Sequence, residues 1–208
     1  MKFISYLIVI LLISCSNKDS FIQKEAYSKF LGDDQYHITY KGYYKIGKQY
    51  RIKNKTYKPK LYSNWQQTGY ASWYGDKENG NKTANGDIFN KKLLTAAHTT
   101  LPMPSIVKVT NLENNRSIIL MVNDRGPYAK NRIIDVSEKA AMILGFHKQG
   151  ISKVHVKYLP NATNTFLKKT GITQETKNKQ KHVTHKICSA NDYIKLLNLK
   201  YKTNSKLD

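Results

Sequence analysis

The sequence predicts a mainly β protein, a small barrel of short strands with a single helix late in the order. Two observations carry this. Between residues 69 and 159 the apolar residues come in short runs separated by Gly, Asn, Asp and Pro clusters, the pattern of strands joined by turns. Only after Ser137 do apolar residues recur at helical spacing.

The elements follow in order. Tyr70-Ala71-Ser72-Trp73-Tyr74 reads as a first strand, and residues 76–90, rich in Gly, Asn, Asp and Lys, as a long loop. Residues 93–97 form a short strand-like piece, and 106–110 a strand with partial alternation. Glu113-Asn114-Asn115-Arg116 is a hairpin turn into Ile118-Ile119-Leu120-Met121-Val122, an apolar run that reads as a strand covered on both faces. Residues 133–136 are another short strand. Ser137 is a helix N-cap with Glu138 in the first turn, Ala140, Ala141, Ile143 and Leu144 as the apolar stripe, and Gly145 as the stop. Val154-His155-Val156-Lys157-Tyr158 alternates and closes the domain.

The flanks are different. Residues 3–13 form an apolar stretch too short to span a bilayer and of the length of a signal-peptide core. Leu12-Ile13-Ser14-Cys15 follows and resembles a bacterial lipobox, which implies cleavage before Cys15 and lipidation of that residue; the alternative is an ordinary signal peptide with an incidental cysteine. Cys188 is the second of two cysteines and then has no partner. No CxxC motif or Cys/His cluster suggests a metal, and no cofactor is expected. The expected organisation is a signal peptide over 1–14, a tether and Tyr/Lys-rich arm over 15–68, the barrel over 69–159, and a basic low-order tail over 160–208 with one amphipathic helical segment at 192–201.

The net charge of +21 would suggest nucleic acid in an intracellular protein. Export argues against that partner and leaves anionic lipid headgroups and peptidoglycan carboxylates, which diffuse lysine charge attracts without specificity.

Asp124 stands where the buried strand meets Gly126-Pro127, a place that fixes a side chain while leaving it accessible. By itself, Asp124-Arg125 before such a turn reads as a turn-stabilising ion pair. The wider sequence changes that. Gly69-Tyr70-Ala71-Ser72-Trp73-Tyr74-Gly75, Thr83-Ala84-Asn85-Gly86-Asp87, Leu94-Thr95-Ala96-Ala97-His98-Thr99-Thr100-Leu101-Pro102, Asn123-Asp124-Arg125-Gly126-Pro127 and Arg132-Ile133-Ile134-Asp135-Val136-Ser137 occur in one order. Together they closely resemble the rare lipoprotein A family. The resemblance implies a six-stranded double-psi β-barrel, distantly similar to barwin and the expansins. It implies lytic transglycosylase activity on peptidoglycan, preferentially on glycan strands stripped of peptides. Asp124 matches the family's catalytic aspartate and His98 its motif histidine; Asp87 falls where the family usually has glutamate. Ser16 after the lipidated cysteine is compatible with the outer membrane, facing the periplasm. Residues 160–208 look too short for the separate glycan-binding domain of many members.

The chemistry asks for these residue types. Breaking a glycosidic bond needs a proton on the leaving oxygen. A lytic transglycosylase then uses the sugar's own 6-hydroxyl as nucleophile, so one carboxyl group can serve as acid and afterwards as base. Its pKa must be raised, by an apolar surrounding or a neighbouring carboxylate; Asp124 has the first available and Asp87 could supply the second. Arg125 is expected to point away from Asp124, toward Asp135. Tyr74, Thr83, Asn85 and Thr95 are candidates to bind sugar, against packing for Tyr74 and loop-holding for the others. Trp73 is expected in the core. His98 is expected at the site because its polar neighbours argue against deep burial. The rival reading is a non-catalytic, expansin-like protein that grips glycan in the same groove.

Overall fold

The structure is a computed structural model and describes residues 38–172 and 185–187. The leader, Cys15, the tether, Cys188 and the segment 192–201 lie outside the described residues.

Six strands close into a barrel in the order β4-β8-β5-β7-β6-β9. They are β4 (Gln66–Tyr74), β5 (Thr95–Ala97), β6 (Ser105–Asn111), β7 (Ser117–Asp124), β8 (Arg132–Ser137) and β9 (Ile151–Tyr158). β4 runs parallel to β8 and β5 parallel to β7, while β4 and β6 pair antiparallel with β9. Neighbours in the barrel are therefore often not neighbours in sequence, and closure leaves no open edge. The core comes from alternate residues of these strands: Val107 and Val109, Leu120 and Val122, Ile134 and Val136, Val154 and Val156 are all buried.

β4 begins at Gln66, ahead of the expected first strand. Gln66, Gln67 and Thr68 are exposed and pair through their backbone with Lys157, Val156 and His155. A polar edge of this kind has no apolar period to betray it.

Helix α1 (Glu138–Leu144) starts as expected. Ser137 accepts from the Ala140 N–H, and Gly145 ends the helix in the left-handed region (φ 81°). Helix α2 (Pro160–Thr170) is a correction to the expected low-order tail. Pro160 opens it where a missing N–H costs nothing. Only Thr163, Phe166 and Thr170 face inward, at spacings of three and four, so its buried face is narrow and mostly hydroxyl. Thr163 accepts from the Ile106 N–H at 2.9 Å, which ties α2 to β6.

The arm is folded onto the barrel. It contains β1 (Ile38–Tyr40) and the hairpin of β2 (Tyr50–Ile52) with β3 (Lys55–Tyr57). β1 also pairs with β10 (His185–Ile187). Tyr40, Tyr44 and Tyr57 are buried, and Tyr40 meets Phe166 of α2 edge-on at 5.7 Å. The backbone of Lys45 exchanges two hydrogen bonds with Met103, at 2.7 and 2.8 Å. Aromatic rings carry this packing, which is why the arm lacks the aliphatic periodicity of the barrel strands.

A candidate active site at the end of β7

Asp124 is the last residue of β7. In the parallel ladder Ala96 pairs with Val122 but Ala97 pairs with Asp124, so Asn123 is the extra residue of a bulge. A bulge re-aims the side chains next to it. Here both Asn123 and Asp124 reach the long loop between β4 and β5. Asp124 Oδ1 accepts from the Ala84 N–H at 2.8 Å and from the Arg125 N–H at 2.7 Å. Asn123 Nδ2 donates to Asp87 Oδ2 at 3.0 Å.

The loop is folded to make these contacts. The Gly86 N–H donates to the Thr83 carbonyl, closing a turn, and Gly86 takes φ 84°. A side chain there would be strained and would meet the Tyr43 ring at 2.9 Å. Thr83 Oγ1 donates to Asn85 Oδ1 at 2.9 Å. The turn thus presents the Ala84 N–H outward to Asp124.

The arm grips the same loop from the other side. The Lys41 N–H donates to Asp87 Oδ1 at 3.1 Å, the Tyr43 N–H to the Asn85 carbonyl at 2.9 Å, and Lys45 Nζ to the Ala84 carbonyl at 2.9 Å. Asn85 Nδ2 meets the Tyr40 hydroxyl at 2.6 Å. Arg125 joins three segments: its guanidinium donates to the carbonyls of His98 (3.1 Å), Leu101 (2.6 Å) and Ile46 (2.7 Å).

Burial raises the pKa of Asp124 above the ordinary carboxylate value. Opposing it, in order, are the Ala84 and Arg125 N–H groups and the charges of Arg125 and Lys45. Burial raises Asp87 too, against the hydrogen bonds from Lys41, Asn123 and Ile88. A carboxyl group held by backbone donors on one oxygen, and favoured in its neutral form by burial, has the properties of a general acid.

Residues 66–156 match the family model described as lytic transglycolase. A protein of Rickettsia felis named endolytic peptidoglycan transglycosylase RlpA is 52% identical, across 95% of this chain and 93% of its own. The chain belongs to the RlpA family. A Rickettsia prowazekii protein of the same name is 51% identical across 97% of this chain and 70% of its own. Among solved structures, an expansin of Clavibacter michiganensis is 18% identical with a TM-score of 0.36, covering 47% of this chain and 52% of its own.

Asp124 and Asp87 are linked through the Asn123 side chain and the 83–87 turn, and burial, ahead of any charge, is what raises each. Asn85 is fully buried and Thr83 nearly so, both inside that turn. Tyr74 stacks on Phe89 at 4.2 Å and lies beside Thr95, within reach of the Asp124 charge; burial pushes its hydroxyl pKa far up. Thr95 is buried in β5. Trp73, expected in the core, is only half-buried at its margin: its ring stacks on His147 at 4.4 Å and its Nε1 donates to the His147 carbonyl at 3.1 Å.

His98 is only 2% exposed, against the expectation drawn from its neighbours. Its Nδ1 accepts from the N–H groups of Thr100 (3.2 Å) and Leu101 (3.0 Å), so the ring is neutral with its proton on Nε2. Those local backbone bonds let a residue flanked by threonines bury itself. Burial, then the Arg125 charge, lowers its pKa to about 3. Its backbone N–H donates to the Asp124 carbonyl at 3.0 Å. Arg125 does turn away from the Asp124 carboxylate, but to carbonyls. Asp135 pairs instead with Arg132 at 3.3 Å, three residues away on its own strand. The residues that sequence reasoning missed are Asn123, the Ala84 N–H and Lys45. Asn123 and Ala84 both lie inside quoted motifs, but only the Asn123 side chain carried any signal; a backbone donor carries none.

Proposed function

We propose that this chain cleaves the glycan strands of peptidoglycan internally, by lytic transglycosylation, with Asp124 as the group that moves the proton. The observation that carries the reading is the state of Asp124: Oδ1 is fixed by two backbone N–H groups, and burial favours the neutral acid. The protonated carboxyl gives its proton to the glycosidic oxygen as the bond from the anomeric carbon breaks. The resulting carboxylate takes the proton of the same sugar's 6-hydroxyl while that oxygen bonds to the anomeric carbon. Protons balance, no water is consumed, and the product ends in 1,6-anhydro-N-acetylmuramic acid.

Asp87 and His98 hold the site in this scheme. Asp87 fixes Asn123 beside the reacting carboxyl, and His98 fixes the 98–101 segment against which Arg125 bonds. Thr83 and Asn85 shape the turn on which sugar rests, with Tyr74 and Thr95 beneath Asp124. The substrate is peptide-poor glycan. The chain works from the cell envelope, anchored by lipid on Cys15 at the outer membrane and facing the periplasm.

Purified peptide-free glycan strands incubated with the chain test this by mass spectrometry. Anhydro-ended products from the chain, and none from Asp124→Asn, are expected. Retention on glycan with no such product would favour the non-catalytic binder instead.

A further inference from the structure

We infer that Tyr128, braced by the β2–β3 hairpin of the arm, is a sugar-stacking face of the glycan site. This rests on the proposed function and names a contact for its substrate.

Tyr128 follows Asp124 by four residues, across Arg125-Gly126-Pro127. It remains 42% exposed, although it lies among aromatic neighbours that could have buried it. Tyr50 meets its ring edge-on at 6.2 Å and Tyr57 at 5.7 Å, and Tyr50 and Tyr57 stack on each other at 5.1 Å. The supports are themselves fixed. The Tyr50 hydroxyl donates to the Thr99 carbonyl at 2.8 Å, Tyr57 is buried, and the preceding Arg125 is held by three carbonyls. The Asp124 and Arg125 charges both act on the Tyr128 hydroxyl, which places the ring within electrostatic reach of the reacting carboxyl.

A partly exposed ring braced by two fixed neighbours loses little freedom when something stacks on it. The electron-rich face of tyrosine attracts the C–H groups that line one side of a pyranose. A glycan strand running past Asp124 offers such faces repeatedly. A core role accounts for Tyr57, which is covered, and does not account for the exposure of Tyr128.

Binding separates this inference from the chemistry. In the full chain carrying Asp124→Asn, the affinity for peptide-free glycan strands is measured by calorimetry, with and without a second change at Tyr128. Tyr128→Ala is expected to weaken binding roughly tenfold, the scale of one aromatic contact. Tyr128→Phe, which keeps the face and loses the hydroxyl, should bind within about twofold of the parent. In the active chain Tyr128→Ala should raise KM more than it lowers kcat. Unchanged affinity in Tyr128→Ala, or an equal loss in Tyr128→Phe, overturns the stacking face while leaving the proposed reaction intact. Absence of anhydro products from the unsubstituted chain overturns the reaction; a tenfold loss on Tyr128→Ala would still support the stacking face.

Discussion

Lys45 and Asp124 are joined through a single residue, Ala84. The Lys45 ammonium donates to the Ala84 carbonyl at 2.9 Å, and the Ala84 N–H donates to Asp124 Oδ1 at 2.8 Å. The arm therefore holds the turn that holds the carboxyl, and its positive charge also pulls the Asp124 pKa downward. Lys45→Met removes both effects. Without the cation the pKa rises further, so the protonated acid persists to higher pH. The alkaline limb of the pH–rate profile should move upward, while the rate at the optimum falls roughly tenfold with the loss of one charged hydrogen bond. Lys45→Arg keeps the charge and should leave the limb near its original pH. A pH–rate series on glycan strands checks this, and an unmoved limb in Lys45→Met would show that the ammonium does not act on Asp124.

Asp124→Asn should abolish cleavage and stabilise the fold at neutral pH. The amide oxygen can still accept from Ala84 and Arg125, so the geometry is kept. In the native chain the folded carboxyl has its pKa raised above the unfolded value of 3.8. The folded state then binds more protons than the unfolded one between those two values, and stability falls as pH rises through that window. Asparagine does not titrate. Urea unfolding should find the variant close to the parent at pH 3 and more stable at pH 7. A variant less stable at pH 7 would mean that the surroundings favour the carboxylate.

The barrel was legible because its strands bury aliphatic residues at the period of a strand. Leu120, Val122, Ile134 and Val136 announce their strands, and Ser137 and Gly145 announce the ends of a helix. Helix α2 was hidden because its inward face is Thr163, Phe166 and Thr170, which in sequence resembles a polar tail. The arm was hidden because tyrosines on a hairpin bury by stacking rather than by alternation. In the site, the two carboxylates were identifiable from residue type and motif. The bulge at Asn123 was not, because it follows from the register between β5 and β7, which are far apart in the chain. The Ala84 N–H could not be seen at all, since every non-proline residue has one.

His98 should make the protein sensitive to mild acid. Its folded pKa is lowered to about 3, while in the unfolded chain it titrates at 6.5. As pH falls below 6.5 the unfolded state takes up a proton that the folded state refuses, so stability is lost progressively toward pH 3. By pH 4 this one side chain costs about 3 kcal/mol. Asp87, Asp124 and Asp135, raised by burial, change in the opposite sense as pH falls toward 3.8, Asp135 starting from about 6. His98→Asn isolates the histidine: its amide oxygen can accept from Thr100 and Leu101 without titrating. Between pH 7 and pH 4 the variant should lose less stability than the parent in urea unfolding. Parallel profiles would mean that the ring protonates without cost.

Asp87 is fitted to its length. It is 5% exposed, with Oδ1 on the Lys41 N–H and Oδ2 on Asn123 Nδ2, so neither oxygen is free to carry a proton to substrate. Its task is to connect the arm, the loop and the residue before Asp124. Asp87→Glu adds a methylene to a closed space and should cost about 1–3 kcal/mol of stability, although glutamate is the residue the family resemblance leads one to expect. Asp87→Ala leaves the Lys41 N–H and the Asn123 amide unpaired. Asn123 then loses the contact that fixes it beside Asp124, and misplacement of a reacting group by about 1 Å costs on the order of a hundredfold. Activity should fall by that order with the pH profile keeping its shape, because the titrating acid is Asp124. A profile that loses a limb in Asp87→Ala would instead make Asp87 a proton donor in its own right.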